Sequence, residues 1–318
     1  MNDETSTLVF GASGFLGAHV AARAILLARE EATFADPLGP PVYGTSRAPD
    51  DAPSFCDPRD ALGWVETDLQ RDGSPRAVLE STRPAYVILC AAVSRVGECA
   101  ADPALAERLN AGVPAEVAEW CETSGARLVH VSTDMVFGAE DAPSGGLTED
   151  AAPAPLNPYG ATKAAGESAV LGACSSALVV RLPLLYGNSA GRGLGASDSL
   201  LEAVAGEVSP TLFTDEWRTP LEVTNAAEAL VELLYGDEAG ILHVAGPDRV
   251  SRYELGLAVL GAMGLPPAEA RAAVQAGVSE GAAAGTRPRD VSLDSSRAEA
   301  LLETELLGVR MGTERAVR

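Results

Sequence analysis

Tyr159 and Lys163, four residues apart, are the pair best suited to proton chemistry in this 318-residue chain. Asn157 reads as an N-cap and Pro158 as the first helical residue, where a missing N–H costs nothing. A helix then sets the two side chains on one face, about 5–6 Å apart at Cβ. A phenol titrates near pH 10 (about 10), and an ammonium beside it draws that value toward neutrality, which makes a proton donor. Of 23 Lys and Arg residues one is Lys, leaving 22 Arg. A chain that uses arginine everywhere else and keeps one lysine here has a need for lysine.

A second constellation lies at the start. Residues 7–10 are a short apolar run, followed at once by Gly11-Ala12-Ser13-Gly14-Phe15-Leu16-Gly17, and from 15 to 27 the sequence is apolar and Ala-rich. Strand, tight turn and helix in that order suit a pyrophosphate, because glycines admit it to the backbone and the helix N-terminus offers it N–H groups. Gly11, Ser13, Gly14, Phe15, Leu16 and Gly17 are therefore candidate dinucleotide contacts. Asp36 stands near the distance expected of a ribose-reading acid, but Pro37 follows it and no apolar run precedes it. The second strand is placed instead at 42–45, ending in Ser46-Arg47. A guanidinium there suits a 2′-phosphate, so NADP(H) is expected, with NAD(H) second. Asp68 and Leu69, after a third strand at 64–67, are expected beside adenine. Ala91 and Ala92, after a fourth strand at 86–90, are small enough to let a cofactor pass.

Composition limits the remaining possibilities. The formal charge of −22 argues against nucleic acid. Its acidic residues are spread along the chain, as they would be on a surface adapted to high salt; an Arg-rich, GC-rich genome accounts equally well for the missing lysines. There is no run of 18 apolar residues and the first four residues are acidic, so neither a membrane span nor a signal peptide is expected. Five cysteines (56, 90, 99, 121 and 174) without a C-x-x-C, and three scattered histidines (19, 130 and 243), imply reduced thiols in a cytoplasmic protein and no metal centre.

The elements that must position these residues alternate. Further strands are read at 128–131 and 178–181, and a helix at 103–123 that includes Asn110. A Pro/Gly/acidic loop covers 139–156. This is α/β: a doubly wound parallel sheet of the Rossmann kind, with ligands at the C-terminal ends of the strands. After the sixth strand the alternation fails. Residues 187–195 read as loop, 198–206 as helix, 213–220 as a polar loop, 225–235 as helix, 241–245 as strand and 288–293 as extended chain. Two interleaved domains are expected: 1–182 plus about 221–246 for the dinucleotide, and about 183–220 plus 247–318 as a smaller C-terminal substrate-binding cap.

Together, Gly11-x-x-Gly14-x-x-Gly17, Tyr159-x-x-x-Lys163 and a hydroxyl residue on the fifth strand resemble an extended short-chain dehydrogenase/reductase. Ser132-Thr133-Asp134-x-Val136-Phe137, Pro155-Leu156-Asn157-x-Tyr159-Gly160 and Arg218-Thr219-Pro220 are similar to the dTDP-4-dehydrorhamnose reductase branch. The resemblance implies that Thr133 hydrogen-bonds a substrate carbonyl, that Tyr159 protonates it and that Lys163 lowers the Tyr159 pKa and holds the nicotinamide ribose. It further implies a nucleotide-sugar substrate, met by Ser94, Asp134, Met135 and Tyr186, and admits a homodimer; Arg218, in the polar loop with Trp217 and Thr219, is a candidate cation for the same substrate. Residues 181–186 depart from that branch, as does Arg218 itself. Other readings of the same motifs are an epimerase, a reductase of another carbonyl, or a non-catalytic relative resembling the regulatory subunit of methionine adenosyltransferase. A 4,6-dehydratase fits poorly, because Met135 cannot exchange a proton.

Overall fold

The computed structural model describes residues 5–30, 40–47, 62–138, 141–190, 192–279 and 286–317. Asp36 and Cys56 lie outside them. The first half alternates as β1 (Thr7–Phe10), α1 (Phe15–Glu30), β2 (Val42–Ser46), β3 (Leu62–Glu66), α2 (Ser74–Thr82) and β4 (Tyr86–Leu89). It continues with α3 (Val96–Ala101), α4 (Pro103–Glu107), α5 (Val113–Ser124), β5 (Arg127–Thr133), α6 (Pro158–Ala173) and β6 (Leu178–Leu182). The single helix expected over 103–123 is therefore interrupted, by a π-turn at Arg108–Gly112. Pro114 lacks the N–H that would bond the carbonyl of Asn110, so the regular ladder cannot cross this point.

The remaining elements are short. They are β7 (Leu185–Tyr186), α7 (Ala196–Ala205), β8 (Thr211–Phe213), β9 (Trp217–Arg218), β10 (Leu221–Glu222), α8 (Val223–Leu234) and β11 (Gly240–His243). The chain then runs through β12 (Val250–Ser251), α9 (Arg252–Ala262), α10 (Pro267–Ala273), β13 (Gln275–Gly277), α11 (Ser296–Leu301) and α12 (Val309–Ala316). No helix among the described residues is long and apolar enough to cross a membrane.

The seven-stranded sheet has the order β11-β6-β5-β4-β1-β2-β3. Pairings β1–β2, β2–β3, β1–β4 and β4–β5 are parallel, with Thr7 opposite both Val42 and Tyr86. All four residues of β1 are buried, as unbroken apolar strands of a covered sheet must be. Strand order reverses between β1 and β4, which is where a doubly wound sheet opens a crevice for a ligand.

Contacts divide the chain into Met1–Ser132 with Ala161–Val180 and Ala227–Ile241, and Thr133–Gly160 with Arg181–Ala226 and Leu242–Arg318. The first unit's core includes Leu8, Phe10, Val87, Leu89, Leu128 and Val179. The second unit's core gathers Tyr186, Leu200, Leu255, Val259 and Leu260. Residues 133–160, expected with the dinucleotide domain, belong to the second unit. Their loop is stitched to the extended 286–294 segment: Ala142 N–H donates to Asp290 O, Leu147 N–H to Ser292 O and Asp294 N–H to Leu147 O, at 3.1, 2.8 and 2.8 Å. Residues 181–182, 221–226 and 242–246 pass to the second unit as well.

Candidate active site

The glycine turn is built for close approach. Gly11 has φ +81°, and a Cβ there would fall 2.8 Å from the Ala91 backbone. A Cβ on Gly17 would lie 2.1 Å from Gly11 O, so helix α1 can start against the turn only without a side chain. Gly11 N–H donates to the buried Thr45 Oγ1 on β2 (3.0 Å), and Gly14 N–H to Gly11 O (2.9 Å). Ser13, Phe15 and Leu16 sit half-buried around the N-terminus of α1. The cradle that these side chains would fill sits at the switch point, and it fits a dinucleotide pyrophosphate. Arg47 follows β2, exposed. The Asp68 carboxylate accepts Gln70 N–H (3.1 Å) and faces Arg71 (3.6 Å), while Leu69 packs on the core. Ala91 is half-buried; Ala92 and Ser94 are exposed.

Helix α6 starts as its sequence requires. Asn157 Oδ1 caps it by accepting Gly160 N–H at 2.9 Å, and Pro158 is its first residue. Tyr159 lies half-buried in the first turn. Lys163, one turn on, is 2% exposed. Its Nζ donates to Val131 O (2.7 Å) and lies 3.3 Å from Nε2 of the buried His130. Burial pulls its pKa down to about 8, against the opposing pull of Glu167 and Cys90. Burial also pushes His130 well below the ordinary imidazole value, with the Lys163 charge adding to the effect. The ring is therefore neutral, and its Nδ1 has no hydrogen-bond partner among the described residues. Glu167 accepts a short hydrogen bond from the Ser132 hydroxyl.

In the second unit, Thr133 ends β5 and caps the 3-10 turn Asp134–Val136. Its Oγ1 donates to Asp134 Oδ1 (3.1 Å) and accepts Met135 N–H (3.2 Å). Arg218 had been expected to reach substrate from a polar loop, with Asp134 as another contact. Instead the two pair with each other, Arg218 Nε 3.6 Å from Asp134 Oδ2, and both are buried. Arg218 also donates to the carbonyls of Trp217 (2.6 Å), Pro288 (3.1 Å) and Arg289 (3.4 Å). Those donors are occupied, which removes Arg218 as a substrate-facing cation. Met135 is half-buried, its sulfur 4.0 Å from Arg218. Tyr186 is a second correction. It is fully buried in the core, its hydroxyl partnerless among the described residues, and burial raises its pKa with help from Glu222 and Asp248. A side chain with no exposed surface is not a ligand contact.

Three positions gained a role that sequence reasoning had not given them. Asn110, in the π-turn, accepts Val93 N–H (2.9 Å) and donates to Val93 O and Thr162 Oγ1 (3.0 Å each). It ties the chain after β4 to α6 beside Lys163; an amide inside the apolar stretch Leu109-Asn110-Ala111 was the available signal. His130 faces Lys163. Arg252 opens α9, where Asp134, Glu216, Arg218 and Arg287 share its field. No spacing rule links it to Asp134, 118 residues earlier by their numbers.

The sheet and its glycine turn define a dinucleotide-binding α/β protein, and Tyr-x-x-x-Lys at the start of α6 narrows the class to the extended short-chain dehydrogenase/reductases. The chain belongs to the RmlD substrate binding domain family, which it matches over residues 5–318. It is 32% identical over 215 residues to the probable low-salt glycan biosynthesis reductase Agl14 of Haloferax volcanii, covering 67% of this chain and 70% of that protein. With a dTDP-4-dehydrorhamnose reductase of Mycolicibacterium smegmatis it shares 35% identity over 193 residues, 58% of this chain and 56% of that one. With methionine adenosyltransferase 2 subunit beta of Danio rerio it shares 30% over 244 residues, 75% and 73%. The crystal structure of dTDP-4-dehydrorhamnose reductase from Bacillus anthracis, in complex with NADP, has the same fold: TM-score 0.75, 98% of both chains, 21% identity.

Proposed function

We propose that this protein is an NADPH-dependent reductase of a keto-sugar nucleotide, with dTDP-4-dehydro-L-rhamnose as the first candidate substrate. The observation that carries the reading is Lys163: the only lysine of the chain, buried one helical turn from Tyr159, with its pKa drawn down to about 8. The relatives named for reduction of keto-sugars support the same reading.

Tyr159 gives its phenolic proton to the carbonyl oxygen of the sugar, and the Lys163 ammonium one turn away favours the phenolate that remains. Thr133 places its hydroxyl at the same oxygen. Asn110 and His130 hold α6 and Lys163 in place. The Gly11–Gly17 turn and the N-terminus of α1 would hold the pyrophosphate of NADP, and Arg47 its 2′-phosphate. When bound, the reduced nicotinamide supplies the hydride that the carbonyl carbon receives. The free thiols Cys90, Cys99, Cys121 and Cys174 suit a reducing, cytoplasmic setting.

A regulatory reading rests on one specific observation, the 30% identity to methionine adenosyltransferase 2 subunit beta over 75% of this chain. Purified protein and a panel of keto-sugar nucleotides separate the two, with NADPH consumption as the readout. A reductase turns over alone, and Tyr159→Phe lowers kcat by about 10²–10⁴-fold while NADPH affinity and the circular dichroism spectrum stay at wild-type values. Wild-type turnover in Tyr159→Phe contradicts the mechanism, and NADPH binding without turnover of any member of the panel favours the regulatory role.

A further inference from the structure

Thr133 and Asp134 are neighbours whose side chains meet, and the meeting uses up most of what the threonine can offer. A hydroxyl has one proton and two lone pairs. The proton goes to Asp134 Oδ1 at 3.1 Å, and one lone pair takes Met135 N–H at 3.2 Å. A single lone pair is left. A ketone oxygen, which only accepts, finds no donor there; a sugar hydroxyl, which can donate, does.

Asp134 decides which state holds. Its carboxyl is 3% exposed, and Oδ2 has no hydrogen bond among the described residues. Two charged groups face it, Arg218 on β9 and Arg252 at the start of α9. Burial raises its pKa; Arg218 opposes most strongly, followed by the Thr133 bond, Arg252 and Met135 N–H. A carboxyl in this balance exchanges its proton closer to neutrality than an exposed one would.

We propose that Asp134 is a positioning residue that sets the hydrogen-bond polarity of Thr133: ionised, it keeps Thr133 an acceptor suited to an alcohol, and protonated, it frees Thr133 as a donor suited to a ketone. In the second state the Asp134 O–H donates to Thr133 Oγ1, and the Thr133 proton turns to the ligand carbonyl. One proton enters from solvent at Asp134, and no bond to carbon forms or breaks. Arg218 biases the pair toward the ionised, alcohol-holding state. The capping of a 3-10 turn alone would give Thr133 the same Met135 bond, but would leave ligand choice independent of Asp134.

The relevance to ketone and alcohol rests on the reductase reading, so the experiment has an arm that does not. In the free protein, carbon-13 carboxyl NMR follows Asp134, its resonance identified by its loss in Asp134→Asn. The midpoint is expected above the ordinary carboxylate value of about 4, and Thr133→Val should raise it further by removing a hydrogen bond to the charged form. An unmoved midpoint in Thr133→Val overturns the proposal.

The second arm uses calorimetry on two unreactive ternary complexes. These are dTDP-4-dehydro-L-rhamnose with NADP⁺ and dTDP-L-rhamnose with NADPH, each measured across the Asp134 midpoint. In the wild type, ketone affinity falls and alcohol affinity rises as pH increases, each by about tenfold. Asp134→Asn, which cannot titrate, should flatten both. Parent slopes retained in Asp134→Asn overturn the proposal. Failure of both sugars to bind contradicts the reductase reading, and the NMR arm then still decides whether Asp134 governs Thr133.

Discussion

Each unit buries a cation, and the two environments are opposite. Lys163 in the first has one backbone carbonyl and the face of a neutral histidine nitrogen. Glu167, its nearest charged neighbour along α6, is engaged by Ser132, and Lys163 titrates near 8 (about 8). Arg218 in the second has a carboxylate and three backbone carbonyls. The difference explains why one lysine survives among 22 arginines. An ammonium can lose its proton when desolvated, whereas a guanidinium keeps its charge and its fork of donors. Lysine stands where charge must be adjustable, arginine where it must hold a structure together.

The most severe way to break that comparison is to remove the fixed charge. Arg218→Met leaves Asp134 buried without its ion pair and should cost about 3–5 kcal/mol in urea unfolding at pH 7. The sign of its pH dependence follows from the carboxyl. Without Arg218 the folded pKa of Asp134 rises further above the unfolded value, so the folded state holds the extra proton and stability falls as pH rises through that interval. The deficit should therefore shrink in acid. Lys163→Met removes a charge that burial already disfavours, and should leave unfolding stability level or raised. Equal losses in the two variants would erase the distinction.

The first unit was the legible one because its chemistry is local. A strand, three glycines and a helix occupy adjacent residues, so spacing alone carries the geometry; the one-turn spacing of Tyr159 and Lys163 was legible on the same ground, although Tyr159 falls in the second unit. The second unit was not, because its contacts join distant segments. Arg218 was expected to face substrate; its partners are Asp134, 84 residues before it by number, and carbonyls some 70 residues after it. Tyr186 failed for a related reason: alternation along a two-residue strand does not reveal which face lies against a helix such as α12. The broken helix at Asn110 had a local cause in Pro114, outweighed in the sequence by the apolar periodicity on both sides.

A solvent-facing cation supplies the intermediate test. Arg47 follows β2 in the open, and its charge should matter only to a ligand that brings its own phosphate. Arg47→Ala should lower NADPH affinity by about tenfold and leave NADH nearly untouched, measured by fluorescence titration. An equal loss for both cofactors would place Arg47 outside the 2′-phosphate site.

The smallest effect concerns the adjustable cation. With Lys163 titrating near 8 (about 8), its ammonium is present below that pH and lost above it. kcat/KM should then fall as pH climbs through about 8, at most tenfold per pH unit. Lys163→Arg should abolish this limb even if its overall activity is low, since a guanidinium does not deprotonate in that range. A limb that persists in Lys163→Arg belongs to another group.

In the proposed reaction hydride passes from NADPH to a sugar carbonyl and Tyr159 supplies the proton. The direct measurement uses NADPH deuterated at its transferable position, dTDP-4-dehydro-L-rhamnose and mass spectrometry of the sugar product. The wild type should form a product alcohol carrying one deuterium at the former carbonyl carbon, and Tyr159→Phe should suppress it. Unlabelled product, or label transfer undiminished in Tyr159→Phe, would contradict the proposed reaction.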